Sequence, residues 1–262
     1  MCYNISSRTT LFCRRCVPIG IMYVFAEKFS HVLHETSIKK IRIDILCEQA
    51  LAIHILKECC KMKKTSFLSM NPEWIRKPEN VTVTNDAVEV ITKSGTDLWQ
   101  RTYYGFTNDN APVFQIKTDE KFFSFLVKTQ FESSQRFDQC GVVMYLDSDN
   151  WFKASIEYED EKIQRLGSVV TNNGYSDWAT TDISSAIKKM WYRFSRRNSD
   201  FCIECSEDGE NFKQMRIFHM FHGTDLITFG IYACSPTIGS YKATFTDMIV
   251  TECQWESDAD WK

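Results

Sequence analysis

Trp151, Lys153, Ser155 and Glu157 alternate with Phe152, Ala154, Ile156 and Tyr158 along one eight-residue segment. At the two-residue period of a strand, each set shares a face. The second set is apolar and suited to burial. The first combines an indole, an ammonium and a carboxylate, which suits sugars and small polar ligands: the indole covers apolar C–H patches while flanking charges hydrogen-bond hydroxyls. The same parity in the segment TDLWQRTYYGF (96–106) puts Asp97, Trp99, Arg101 and Tyr103 on one face. Two strands would then each present an aromatic residue with paired charges. A competing reading makes Lys153–Glu157 and Asp97–Arg101 salt bridges that latch a sheet, with Trp99 and Trp151 as ordinary core, since charge pairs on sheets are often structural.

Other chemistry-bearing residues carry less. Glu157, Glu159 and Glu161 would share a face, and glycoside hydrolysis needs two carboxylates about 5–5.5 Å apart for retention. The run enters a charged turn at Asp160-Glu161, where solvated hairpin residues are the simpler account, so the chain leans non-catalytic. Cys202 and Cys205 have CxxC spacing, but strand residues three apart point to opposite faces and cannot share a metal. His219 and His222 in FHMFHG have no nucleophile to serve. Asp147, Asp149 and Asn150 offer oxygen ligands for calcium, yet hairpin turns use these residues anyway. Cys13-x2-Cys16 followed by His31-x2-His34 resembles a zinc-finger spacing, with the histidines closer than usual and no ββα pattern around them. No Gly-rich phosphate loop or HExxH is present. Neither cofactor nor metal is expected.

The elements that must position these residues are strands. Apolar runs at 88–92, 98–104, 122–131, 141–146, 151–158, 163–171, 191–196, 201–206, 212–218, 227–234 and 241–251 are separated by polar turns, the pattern of an all-β sandwich or barrel. Phe122–Phe131 is apolar on both faces for part of its length and reads as a central strand. Asp208-Gly209 and Asp147-Ser148-Asp149-Asn150 read as hairpin turns. One short helix is expected over Ile183–Met190, capped by Asp182.

The 262 residues divide by charge and composition. Residues 1–64 carry 11 Lys/Arg against 5 Asp/Glu, whereas the remainder carries 20 against 29. An acidic main body argues against a nucleic-acid partner, because phosphate binding rests on clustered Lys and Arg. All seven Trp lie from Trp74 onward, and six of the eleven Cys lie in the first 60 residues. The five later Cys show no short-spaced framework and read as reduced, mostly buried thiols, consistent with a cytoplasmic protein. Residues 1–64 are read as an N-terminal extension, either one helix over Ser37–Cys60 or a leader ahead of a start at Met62 or Met70, with the sandwich over 65–262. The apolar run Val17–Ala26 makes a poor signal peptide and is too short for a membrane span, which needs about 20 residues.

Five motifs stand in order along the chain: NPEW (Asn71–Trp74), TDLWQRTYYGF (Thr96–Phe106), GVVMYLDSDNWFKASIEYE (Gly141–Glu159), VVTNNGYSDW (Val169–Trp178), and SEDGENF through GIYACSP (Gly230–Pro236). Together they resemble a family of concanavalin A-like domains of undefined activity that includes the fungal regulation-of-enolase protein, and are similar to the domain appended to many β-xylosidases. The resemblance covers residues 71 to about 253. It implies a two-sheet antiparallel jelly-roll sandwich with a concave face. Matched by motif, it nominates Asp97, Trp99, Arg101, Tyr104, Trp151, Lys153, Glu157, Ser176, Asp177 and Trp178 as ligand-binding positions. The leading expectation is a non-catalytic, lectin-like module for a carbohydrate, a sugar phosphate or another small polar ligand, with Trp99, Trp151 and Trp178 stacking on it. A protein-interaction module that regulates a glycolytic enzyme and a glycoside hydrolase are the alternatives. Neither nucleic acid nor membrane is an expected partner.

Overall fold

The computed structural model describes residues 64–256. The expected helix at 37–60, the apolar run at 17–26 and the Cys13/Cys16/His31/His34 set lie outside the described residues. Two antiparallel sheets pack face to face as a sandwich. The first runs β15 (Lys213–His219), β14 (Asp200–Ser206), β13 (Lys189–Arg197), β8 (Phe122–Phe131), β17 (Lys242–Thr251), β4 (Val88–Ile91), β3 (Val81–Val83), with β1 (Thr65–Ser66) also paired to β17. The second runs β12 (Tyr175–Ser184), β11 (Ile163–Asn172), β10 (Asn150–Tyr158), β9 (Gln139–Asp147), β16 (Ile227–Cys234), β7 (Val113–Thr118), β2 (Glu73–Ile75). A separate ribbon joins β5 (Leu98–Gln100) to β6 (Thr107–Asp109).

Alternation fixes the register. Phe152, Ala154 and Ile156 of β10, Val142 and Met144 of β9, and Phe229 and Ile231 of β16 all point between the sheets. There they meet Phe123, Phe125 and Val127 of β8 and Phe194 of β13. Slipping any of these strands by one residue would turn its apolar set outward, so the pairing is strongly specified. Phe67, in a 3-10 turn at Phe67–Met70, is fully buried against Phe114, Phe125 and Phe229. The sandwich core therefore extends on the N-terminal side of Met70, which makes Met70 too late a boundary for it. At the centre of the second sheet only glycine fits at Gly141 and Gly230, where a Cβ would lie 1.9 Å and 2.0 Å from a neighbouring strand's carbonyl oxygen.

Two local expectations fail. Residues 183–190 are not helical: β12 continues to Ser184, a turn follows, and β13 begins at Lys189. Ile183, Ile187 and Met190 do have helix-like spacing, but they reach the core from a strand end, a turn and a strand start. The Gln164 side-chain amide donates to the Ser184 and Ile187 carbonyls, both at 2.8 Å, and holds that turn. The expected strand at 98–104 stops at Gln100, because Arg101 and Tyr103 take left-handed backbone conformations (φ 56° and 61°). Asp208-Gly209 does turn the β14–β15 connection, with Gly209 at φ 81° and Asp208 accepting from the backbone of Glu210 and Asn211.

Candidate functional site

The outward face of the second sheet is only partly covered. The segment carrying β5 and β6 crosses it, and Leu98, Trp99 and Ala111 pack on Val113, Val143, Tyr145, Trp151, Val169, Tyr232 and Cys234 to form a second, smaller core. The ribbon is fastened at several points. Thr96 N–H donates to the Ser235 carbonyl (3.2 Å), Gln100 N–H to Ser176 Oγ (2.9 Å), and Tyr145 OH to Asp109 (2.8 Å). Arg101 ties the connecting loop to the Asp149 carboxylate (3.0 Å) and the Gly174 carbonyl (2.7 Å).

Beyond this second core the covered face turns polar. The buried Lys153 ammonium donates to Asp97 Oδ1 (3.1 Å) and Gln139 Oε1 (2.9 Å) and lies over the Trp151 and Tyr232 rings at 5.7 Å and 5.8 Å. Burial opposes its charge, but the Asp97 carboxylate and its neighbours outweigh that effect and raise the Lys153 pKa, so the ammonium persists. Tyr232 OH completes the group, bonding Ser155 Oγ at 2.7 Å and Gln139 Oε1 at 3.0 Å. Glu157 is less well served. Its Oε2 has one long bond from Gln139 Nε2 (3.4 Å), and its Oε1 is sealed from solvent without a partner. Burial, only partly offset by Lys153, pushes Glu157 up to about 7. The neighbouring Cys234 thiol is raised by burial and stays protonated.

Above this floor lies a pocket of about 300 Å³, at the small end of ligand sites. Asp97, Trp99, Tyr104, Lys153, Glu157 and Trp178 line it, and Phe106, Asn108, Phe137, Gln139, Val169, Pro236 and Thr237 complete it. Trp99 meets Trp178 edge-on at 6.3 Å and Tyr104 at 5.5 Å, and Tyr104 stacks on Phe106 at 5.6 Å. Gln139 and Phe137 were beyond parity reasoning, since their roles depend on cross-strand register: Gln139 sits opposite Glu157.

Four nominated residues lie elsewhere. Trp151 is fully buried, with its indole N–H on the Ser148 carbonyl (3.1 Å), and cannot stack on a ligand. Arg101 faces the two hairpins named above, because its left-handed backbone takes it off the Trp99 face. Ser176 is buried between Gln100 and Thr171. Asp177 points to the opposite face and pairs with Arg216 at 2.5 Å. The ion pairs expected as sheet latches are also re-partnered, to Lys153–Asp97 and Arg101–Asp149.

The remaining motifs find local partners. Glu159 is held by Arg136 (2.7 Å) and Arg165 (3.1 Å). His219 pairs with Asp200 at 2.7 Å and His222 with Asn173 at 3.1 Å, both on the exposed surface. Asp147 accepts from Asp149 N–H and the Asn150 amide, as a hairpin turn requires. Cys140, Cys202, Cys205, Cys234 and Cys253 are free thiols. Among the described residues no cluster of three or more His, Cys, Asp or Glu is arranged to hold a metal, and no helix is long and apolar enough to cross a membrane.

Comparison with known proteins follows these features. Residues 74–253 match the model of the family described as "Protein of unknown function (DUF1349)". The chain is 32% identical over 178 residues to Regulation of enolase protein 1 of Saccharomyces cerevisiae, a match covering 68% of this chain and 88% of that protein. The crystal structure of a functionally unknown protein from Saccharomyces cerevisiae superposes with a TM-score of 0.66 at 30% identity, over 72% of this chain and 99% of that one. The GH43 protein BlXynB of Bacillus licheniformis shares the sandwich fold alone, with a TM-score of 0.54 at 15% identity over 70% of this chain and 37% of that one. The chain thus belongs to the DUF1349 family, whose activity is undefined and whose fold is the sandwich described above.

Proposed function

We propose that this domain is a non-catalytic binding module for a small polar ligand of carbohydrate type, held in the pocket between Trp99, Tyr104 and Trp178. The carrying observation is a carboxylate short of hydrogen-bond donors, Glu157, set beneath aromatic walls. Indole and phenol rings cover the C–H faces of a sugar ring, and Glu157 and Asn108 address its hydroxyls. Hydrolysis is disfavoured because, among the described residues, no second carboxylate stands free beside Glu157: Asp97 is engaged by Lys153, and Glu159 by Arg136 and Arg165. The five free thiols among the described residues suit a cytoplasmic setting.

Trp178→Ala is the discriminating variant, since Trp178 is only partly buried. A glycan array followed by calorimetric titration of the full chain should show a specific sugar whose affinity falls roughly tenfold or more in the variant, while the melting temperature stays within a few degrees. Binding unaffected by Trp178→Ala would remove the pocket from consideration.

A second reading has two observations in its favour. The relative named Regulation of enolase protein 1 and the exposed aromatic rim, with Tyr103 at 93% exposure beside Tyr104 and Phe106, suit docking of a glycolytic enzyme such as enolase. Capture of purified enolase, lost on Tyr103→Ala but kept on Trp178→Ala, would favour it.

A further inference from the structure

The pocket's charges decide what it admits. Its charged lining comprises Asp97, Glu157 and Lys153, two acids to one base. Lys153 is committed to Asp97 and Gln139, with two aromatic rings close to it. Two cations bordering the pocket are also engaged: Arg136 and Arg165 pair with Glu159 and lie over the rings of Phe137 and Trp178, at 4.6 Å and 5.7 Å. Among the described residues, a phosphate or carboxylate entering here meets no unengaged ammonium or guanidinium and is placed beside two carboxylates, an uncompensated buried charge of the costly kind.

The hydrogen-bonding vacancy has the opposite polarity. An ionised carboxylate accepts about four hydrogen bonds, and Glu157 receives one long one from the protein. Behind it, between Ser155, Gly167 and Trp178, is a void of about 10 Å³, room for one water at most. A single water in that void would serve the sealed Oε1, and the rest of the carboxylate takes its donors from the pocket that Glu157 lines. Resting on the ligand-binding reading, we propose that the pocket selects a non-anionic ligand that donates a hydrogen bond to the Glu157 carboxylate, and rejects phosphorylated or carboxylated forms of the same molecule.

Binding is then coupled to a proton. The groups facing Glu157 are Lys153 and Glu159 on its own segment, Asp97 from the ribbon, Arg165 from β11, and Tyr232 and Cys234 from β16. Burial keeps the acid partly protonated near neutrality. A ligand that donates to the carboxylate favours the ionised form, so binding releases a proton and affinity tightens as pH rises from 6 to 8.

Calorimetric titration of the full chain tests this with matched probes: glucose, xylose, galactose and glucosamine against glucose 6-phosphate, galactose 6-phosphate and glucuronate, each at pH 6 and pH 8. The expected result is a non-anionic binder at least about tenfold tighter than its anionic counterpart, tightening several-fold between the two pH values. Glu157→Gln, a near-isosteric change, should narrow that discrimination and flatten the pH response. A phosphorylated or carboxylated probe binding as tightly as its parent overturns the charge selection and leaves the sugar-binding reading intact. No binding by any probe overturns both.

Discussion

The two faces of β10 make opposite use of one strand. Phe152, Ala154 and Ile156 meet a whole second sheet, which supplies enough apolar surface to bury them among side chains of their own kind. Trp151, Lys153, Ser155 and Glu157 meet a short ribbon, whose Leu98 and Trp99 pack with Trp151 in a small core that includes none of the other three. Where apolar cover runs out, the buried polar groups must satisfy one another, and Lys153, Asp97, Gln139, Tyr232 and Ser155 do so. Glu157, last along the strand, is left incompletely satisfied. The pocket is what remains when a cover is shorter than the face it covers.

The largest test of this contrast is whether the outer face has a core of its own. Trp151→Ala should cost about 3–5 kcal/mol, comparable to Phe152→Ala on the opposite face; a loss under about 1 kcal/mol in urea unfolding would show that the ribbon shields nothing. Next, Lys153→Ala should cost about 3 kcal/mol at pH 7, because Asp97 loses its buried counter-charge. Combining Lys153→Met with Asp97→Asn should recover much of that loss, and failure to recover would mean that the lysine acts by packing alone. Glu157 makes a pH-dependent case. Its folded-state pKa lies above its unfolded value, so its stabilising contribution is complete below about pH 4.5 and is lost as pH rises through about 7. Glu157→Gln should therefore melt roughly 2–6 °C higher than wild type at pH 8, with the gap shrinking towards pH 5. The smallest effect is expected at the rim, where Arg101→Ala removes a half-exposed ion pair and should change stability by under about 1 kcal/mol.

Most of the sandwich was legible because strand parity and turn chemistry are local. Phe122–Phe131 and Ile227–Cys234 were read to the residue, and the first is a central strand as its two-sided apolarity implied. The helix expected over 183–190 failed because three apolar residues at helical spacing can also be delivered by a strand, a turn and a strand. The site was legible only in part, for a related reason. Parity assigns a residue to a face but does not say what lies over it, so Trp151 and Lys153 look alike in sequence although one is sealed core and the other a pocket floor. Continuing the parity of Trp99 through Arg101 assumed a strand that the left-handed backbone at Arg101 ends.

The ribbon that forms much of the pocket wall, including Asp97, Trp99, Tyr104, Phe106 and Asn108, belongs to neither large sheet. Scattered single hydrogen bonds and the packing of Leu98 and Trp99 attach it, with no continuous ladder to either sheet. Such a unit can open sub-globally at a lower free energy than the sandwich beneath it. Its amides should exchange with deuterium well before those of β9, β10 and β16, so one wall of the pocket is the least durable part of the structure around it.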